Sequence, residues 1–492
     1  MLKDVLAGRP AALAAVAAAL LAGAPGMRAS DFSWSELLSK ASPAAGATGV
    51  CPDTPLRLVF KSPPELGTAG RITIRDADGT VVEAIDIGAR TGAKTIGGLS
   101  GFKYYPVIVE GNQATIYPLN GELRYHRTYT VTVDAGVFRF GPEASPALGQ
   151  TGAWRFTTRG APPAAGPARL TVAADGTGDF CTVQGALDFI PDGNTTPTTV
   201  FIRSGTYTEL VFFTNKHAVT LLGEDRKKTV IAYANNERFN AAGGNPYGAG
   251  ANPVLAARHI YRRAVLLAHR VNGLTIENLT IRNTTPHGGS QAEAIILNGT
   301  PEARAVIAHV DLSSFQDTLQ INGQAYIEDS AIEGDVDFMW GTGPCFFENC
   351  GCRSVRSAGY YTQIRNPAAN HGYVYHRCTF DGAPGVAGNY LSRIAPGRFP
   401  DSEVVLVDCV LTSAVNPAGW LLQGAGDTSR IQFWECGSRD GSGGPADVSG
   451  RSPASRQLRL PADAGVAANY SDPAFVLGSG WNPRDANGAD RK

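Results

Sequence analysis

The sequence predicts an all-β protein built from two folded units, a β-sandwich followed by a right-handed parallel β-helix. Three observations carry that prediction: 58 glycines and 31 prolines in 492 residues, a series of short alternating runs in the first third, and a recurring polar–apolar step in the remainder. Frequent turns and a charged fraction of only 18% suit many short strands. At roughly 100–200 residues per domain, the length allows two or three units, each able to bury a core. The 43 basic and 44 acidic side chains leave a net charge of −1, so no basic field exists to attract nucleic acid or an anionic membrane. An apolar fraction of 43% with almost no net charge excludes disorder.

At the N-terminus, Lys3 and Arg9 precede an apolar run over residues 11–22 and the small residues Ala22, Gly23 and Ala24, with a second small pair at Ala29 and Ser30. This is the pattern of a cleaved export signal over residues 1–30. The run is short for a membrane span, and no later segment approaches about 20 apolar residues. A secreted or periplasmic protein without a membrane span is expected, and a monomer. Eight cysteines in an exported chain permit disulfides, whose connectivity spacing does not fix. The CxxC pairs and histidine clusters of a zinc site are missing, so structural thiols and no metal are expected.

Alternating runs at residues 56–60, 71–75, 81–87, 107–109, 114–117, 128–133 and 154–158 are separated by turn signals such as Asp78-Gly79. Seven short strands with regular turns read as a sandwich over residues 46–159. In strand pattern this stretch resembles bacterial Ig-like domains. It carries no catalytic constellation, which suits a spacer or a carbohydrate-binding module. The run GAPPAAGP marks residues 160–168 as a linker.

Over residues 169–488 a polar residue followed by a small or apolar one recurs at Asn278-Leu279, His309-Val310, Asp329-Ser330, Asn349-Cys350, Arg377-Cys378, Asp408-Cys409 and Glu435-Cys436. The steps are 31, 20, 20, 28, 31 and 27 residues. Such periods indicate a solenoid whose turns share one core and whose insertions fall in loops. Leucine-rich repeats have similar periods, but their LxxLxL signature is absent, which leaves the parallel β-helix. Matching positions on turns ~4.8 Å apart form ladders, so Cys350, Cys378, Cys409 and Cys436 are expected in one internal column of buried free thiols. Residues 182–190 read as a short amphipathic helix capping the open end.

The repeat supplies a register with chemical content. Asp317 follows Val310 by seven residues and Asp337 follows Ser330 by seven, so the two should occupy equivalent positions on adjacent turns. Two acids stacked at ~5 Å cannot both ionise freely, and one should hold a proton beside the other's charge. Gln316 adjoins the first aspartate, Gln291 lies in HGGSQAEAI and Arg393 in NYLSRIAPGRF. Amide donors suit a developing oxyanion, and an arginine would keep a nucleophilic carboxylate ionised. The set points to acyl transfer.

These residues carry a resemblance. Residues 170–482 resemble pectin methylesterases, the β-helical carbohydrate esterases, through seven motifs in that family's order: ADGTGDFCTVQGAL, RSGTYTE, LLGEDRKKTVI, ENLTIRNTTPHGGSQAEAI, FQDTL, GDVDFMWG and YLSR. The resemblance implies that Asp337 is the nucleophile on a galacturonate methyl ester and Asp317 the proton donor and acceptor. It assigns the oxyanion to Gln291 and Gln316, and the orientation of Asp337 to Arg393, with no metal or organic cofactor. The chain departs from the family's usual Leu-Gly-Arg-Pro-Trp, reading Leu391, Ser392, Arg393, Ile394 and Ala395. The sugar-stacking tryptophan is therefore lost, which leaves open pectin or another uronate ester as substrate. Trp340, Trp420 and Phe399 are candidates for an aromatic face in its place. A Gly/Asn/Ala-rich loop at residues 235–252 is a second departure. Two alternatives remain open at this point. A polysaccharide-cleaving β-helix would use a similar acid pair, although the acidic triad of polygalacturonases and the acidic cluster of calcium-dependent lyases are missing. A non-catalytic wall-binding solenoid would not need the five site residues.

Overall fold

The structure, a computed structural model, describes residues 33–149, 154–241 and 262–484. The expected export signal lies outside the described residues, as does the loop beyond residue 241. No helix among the described residues is long and apolar enough to cross a membrane.

Alternation builds the first unit. Strands Leu38–Ser42, Leu56–Phe60, Gln113–Ile116 and Val107–Glu110 form one antiparallel sheet; Arg155–Thr157, Thr128–Val133, Arg71–Asp76 and Val81–Asp86 form another. All seven expected runs fall in these two sheets. Tyr129, Val131 and Val133 on one face meet Leu56, Leu58 and Phe60 from the other in a single core. The run pattern did not announce the hairpin Gly92–Ile96 and Leu99–Tyr104, which serves the neighbouring unit instead. Its Ile96 and Phe102 are buried in the solenoid core, the Phe102 ring 5.6 Å from that of Phe212. Gly97 at its tip has φ +52°, and a Cβ there would stand 2.4 Å from the Phe212 carbonyl oxygen.

From residue 169 onward, parallel strands stack into three sheets of eleven, nine and eight strands, a parallel β-helix. Each turn presents the next with a full hydrogen-bonding edge, and inward side chains stack like on like. Ile276, Ile307, Ile327, Phe347, Tyr375 and Leu406 form one such internal column. The helix Val183–Phe189 covers the open end, with the Thr182 hydroxyl accepting from Gly185 N at 3.0 Å. Helices Ala464–Tyr470 and Pro473–Leu477 pack outside the eleven-stranded sheet over Tyr326, Phe346 and Val405.

The recurring polar residue has a backbone cause. Asn278, His309, Asp329, Asn349, Arg377 and Asp408 all have φ between +47° and +59°. They form the left-handed corner between the eleven- and nine-stranded sheets, a conformation that Asn, Asp and His adopt more readily than most. The residue after each corner turns inward, which places Cys350, Cys378 and Cys409 in a buried column. Cys436 does not join it. Val407 pairs with Cys436, so the last corner falls on Gly437, φ +65°, two residues past the expected Glu435, and Cys436 lies in the outer cluster under the C-terminal helices.

Because a cavity in this column loses contacts with both neighbouring turns, Ile327→Ala should lower the unfolding free energy by about 2–5 kcal/mol. In urea unfolding, the exposed Val81→Ala control should shift by no more than about 0.5 kcal/mol.

Candidate active site

Register brings the acids together. Gln316 bridges to Val336, the Asp317 N–H donates to the Val336 carbonyl at 3.0 Å, and Leu319 pairs with Met339. Asp317 and Asp337 therefore occupy the same position on successive turns. Both have positive φ, +66° and +48°, so the chain bends sharply just before entering the eight-stranded sheet. Such strained backbone is held only where surroundings enforce it. The acids are 7% and 5% exposed. Ile295 pairs with Leu319, and the same register puts Glu293, 0% exposed, at the equivalent place one turn earlier. The column thus holds three successive carboxylates.

Two arginines divide this charge unequally. Arg393 grips Asp337 with both arms: Nε donates to Oδ1 at 2.7 Å and Nη2 to Oδ2. Arg263 Nε donates to both Glu293 oxygens at 3.0 and 2.8 Å, while its Nη2 reaches Glu293 Oε1 at 2.7 Å and Asp317 Oδ2 at only 3.4 Å. Burial raises the carboxyl of Asp337, an effect that Arg393 and then Arg365 oppose. Burial raises Asp317 well above the carboxylate range; Glu293 and Asp337 push it further, against Arg263 and Arg365. Asp317 is the better proton holder and Asp337 the better anion. Burial would lower the Arg263 guanidinium, but Glu293 and then Asp317 hold it charged above its usual value.

Strand parity sorts the aromatic candidates. In the eight-stranded sheet, Gln320, Trp340, Gln363 and Arg393 share one outward column. Trp340 is only 2% exposed because two guanidinium groups flank it, Arg365 at 4.7 Å and Arg263 at 5.7 Å from its ring. Phe399 borders the same group, with Arg365 at 5.4 Å, but it too is buried in the solenoid core, at its edge. Trp420 points the other way. It pairs with Ser392 on the inward column, stacks on Phe433 at 4.7 Å and belongs to the solenoid core, so it offers a sugar no face. Gln316 lies beside Asp317, and its carbonyl accepts from Ala292 N at 3.1 Å, which ties it to the turn carrying Gln291. The Gln291 amide oxygen accepts from Ser290 Oγ at 2.9 Å, leaving the amide nitrogen as its donor end.

Sequence reasoning missed Arg263, Glu293, Arg365 and Tyr360. Glu293 was in view within QAEAI, but nothing marked it as the next member of the acid column. Tyr360, half-buried, lies under the Arg393 guanidinium at 4.4 Å and stacks on Tyr390 at 6.0 Å. This pair forms an aromatic surface beside the arginine whose motif lacks the tryptophan.

On adjacent turns of a parallel β-helix, one carboxyl clamped by an arginine and a second that is weakly paired and raised by burial place an anion and a proton holder side by side. Residues 169–455 match the family model described as Pectinesterase, and residues 37–158 match Bacterial Ig-like domain. The chain belongs to the pectinesterase family and is a carboxylic ester hydrolase that demethylates pectin. It is 28% identical to Pectinesterase 31 of Arabidopsis thaliana over 53% of this chain and 79% of that protein. It is 30% identical to Pectinesterase 1 of Olea europaea, over 54% and 68%. Among solved structures it resembles the pectin methylesterase from carrot with a TM-score of 0.53 and 21% identity, covering 66% of this chain and 97% of that one. The Aspergillus niger pectin methylesterase gives 0.50 and 24%, over 65% and 96%. These two likenesses speak to fold. Family membership sets aside the polysaccharide-cleaving and non-catalytic alternatives.

Removing one partner of a buried charge pair strands the other. Arg263→Met should therefore lower stability by about 3–5 kcal/mol, and the double variant Arg263→Met, Glu293→Gln should recover much of that loss in thermal melts.

Proposed function

We propose that this esterase works through an acyl-enzyme on Asp337, with Asp317 moving the protons. The observation that carries the reading is the unequal arginine support, two-armed on Asp337 and weak on Asp317. The Asp337 carboxylate attacks the carbonyl carbon of a galacturonate methyl ester, and the negative charge passes to the carbonyl oxygen. Gln291 and Gln316 donate to that oxyanion. As the intermediate collapses, the C–O bond to the methoxy group breaks, and the Asp317 proton goes to the departing oxygen, releasing methanol. The product is an anhydride between Asp337 and the uronate. Asp317, now ionised, takes a proton from water; the resulting hydroxide attacks the uronoyl carbon and frees Asp337 as the carboxylate, leaving a reprotonated Asp317 and a galacturonic acid unit that gives its proton to solvent. Arg393 orients Asp337 throughout. Trp340 and Phe399 border the site, and the Tyr360 and Tyr390 rings supply the sugar-stacking surface.

We assign the protein to the exported compartment as a monomer, in keeping with the N-terminal residues 1–30. Sequencing the N-terminus of the exported form and light scattering in solution test the two points.

Methanol release from highly methylated pectin tests the mechanism. Asp317→Asn should lose about 10²–10⁴-fold in kcat, and Asp337→Asn should lose more; equal release by wild type and both variants would refute the assignment. The pH profile follows from the charges. Asp337 must be ionised, so activity falls as pH drops through its pKa. Asp317 must be protonated, so activity falls as pH rises through its raised pKa. The profile of kcat/KM should be bell-shaped, with its alkaline limb well above the ~4 of an ordinary carboxylate. An alkaline limb near that ordinary value would contradict the role of Asp317.

A further inference from the structure

The two units meet at a polar seam. Asp53 of the sandwich reaches over the end of the solenoid, where its Oδ2 accepts from Cys181 N at 2.9 Å, Thr182 N at 2.8 Å and the Thr182 hydroxyl at 2.7 Å. A sandwich side chain thus braces the start of the helix that caps the solenoid. Arg57 donates to the Ala174 carbonyl at 3.1 Å, and Arg159 donates to the carbonyls of Asp179 and Gly176 at 3.0 and 2.9 Å. These contacts surround a cavity of about 430 Å³, lined from both units by residues that include Lys94, Tyr117 and Glu209.

Two cysteines face each other across it. Cys51 comes from the sandwich and Cys181 from the solenoid cap, both buried. Their sulfurs and an Asp53 carboxylate oxygen all lie within 4.8 Å of one another. The neighbouring Cys181 holds Cys51 below its usual pKa, while Cys51 and burial raise Cys181, so Cys51 is the readier thiolate. The cysteines of the internal column have closer backbone acceptors than Cys51, whose nearest are the Gly176 and Gly178 carbonyls at 3.9 Å. Cys350, Cys378 and Cys409 each donate to a carbonyl of the preceding turn, those of Ile327, Phe347 and Tyr375 at 3.4, 3.5 and 3.2 Å. Parallel ladder side chains do not aim sulfur at sulfur.

We propose that Cys51 and Cys181 form an interdomain disulfide that locks the sandwich onto the capped end of the solenoid. The oxidant is a disulfide met in an oxidising compartment, which the N-terminal segment is read to provide access to. The Cys51 thiolate attacks one sulfur of that disulfide, forming a mixed disulfide and expelling a thiolate. Cys181 then loses its proton, attacks the Cys51 sulfur and expels the second thiolate. Two thiols are oxidised by two electrons, one external disulfide is reduced, and two protons pass to the departing thiolates. The bond closes a loop containing nearly all of the sandwich, which restricts the unfolded chain. Asp53, two residues from Cys51, holds the Cys181 backbone in place for this step. The same three groups also make a start on a zinc site, but among the described residues no fourth His, Cys, Asp or Glu completes it.

The test uses the full chain equilibrated with reduced and oxidised glutathione, then denatured in iodoacetamide, digested and mapped by mass. One linked peptide pair should carry Cys51 and Cys181 without label, and the other six cysteines should be alkylated. A second preparation carries a site-specific protease sequence within the 160–167 linker. After cleavage its two fragments should migrate together on a denaturing gel without reductant and separate with it, whereas Cys51→Ser fragments should separate in both. Alkylated Cys51 and Cys181 in the wild-type chain would overturn the proposal, as would stoichiometric zinc bound by free thiols.

Discussion

The structure depends on in-register stacking of parallel turns. Once each strand accepts the hydrogen bonds of the one before it, equivalent residues must lie above one another a strand spacing apart. The same constraint builds the internal column of Ile307, Ile327 and Phe347 and the column of Glu293, Asp317 and Asp337. In the first case stacking like on like buries apolar surface. In the second it forces acids together at a cost that only proton uptake or arginine can offset.

The active site is this conflict resolved unevenly. Glu293 takes most of Arg263, Asp337 takes Arg393, and Asp317 between them receives one long contact. An acid left undersupplied between two better-paired neighbours holds its proton more strongly, and the proposed mechanism rests on that carboxyl lying beside an oriented one. Arg365, against Trp340 and Phe399, joins the aromatic wall to the electrostatics of the acid pair.

The sandwich is more than an appendage. Its hairpin carries Ile96 and Phe102 into the solenoid core, and its Asp53 braces the capping helix. The open end of a solenoid exposes both backbone edge and apolar interior, and here the neighbouring unit helps to close both.

The sequence by itself determined the two architectures, the twenty-residue interval that aligns Asp317 with Asp337, and the candidate arginine, because strand alternation and coil period are local patterns. It could not assign Arg263 and Arg365, which act on the acids across turns of differing length, or Tyr360, which lies under Arg393. It also misplaced Trp420 and Cys436. Whether a strand residue faces the cleft or the core depends on where its corner falls, and a shift of one residue reverses the side. Trp420 pairs with the inward Ser392, one position from the outward Arg393, and the last corner moves two residues, from Glu435 to Gly437, which leaves Cys436 ahead of the corner and outside the core. Only the folded coil decides these, since the length of each turn is fixed by packing against its neighbours and not by any pattern within the turn.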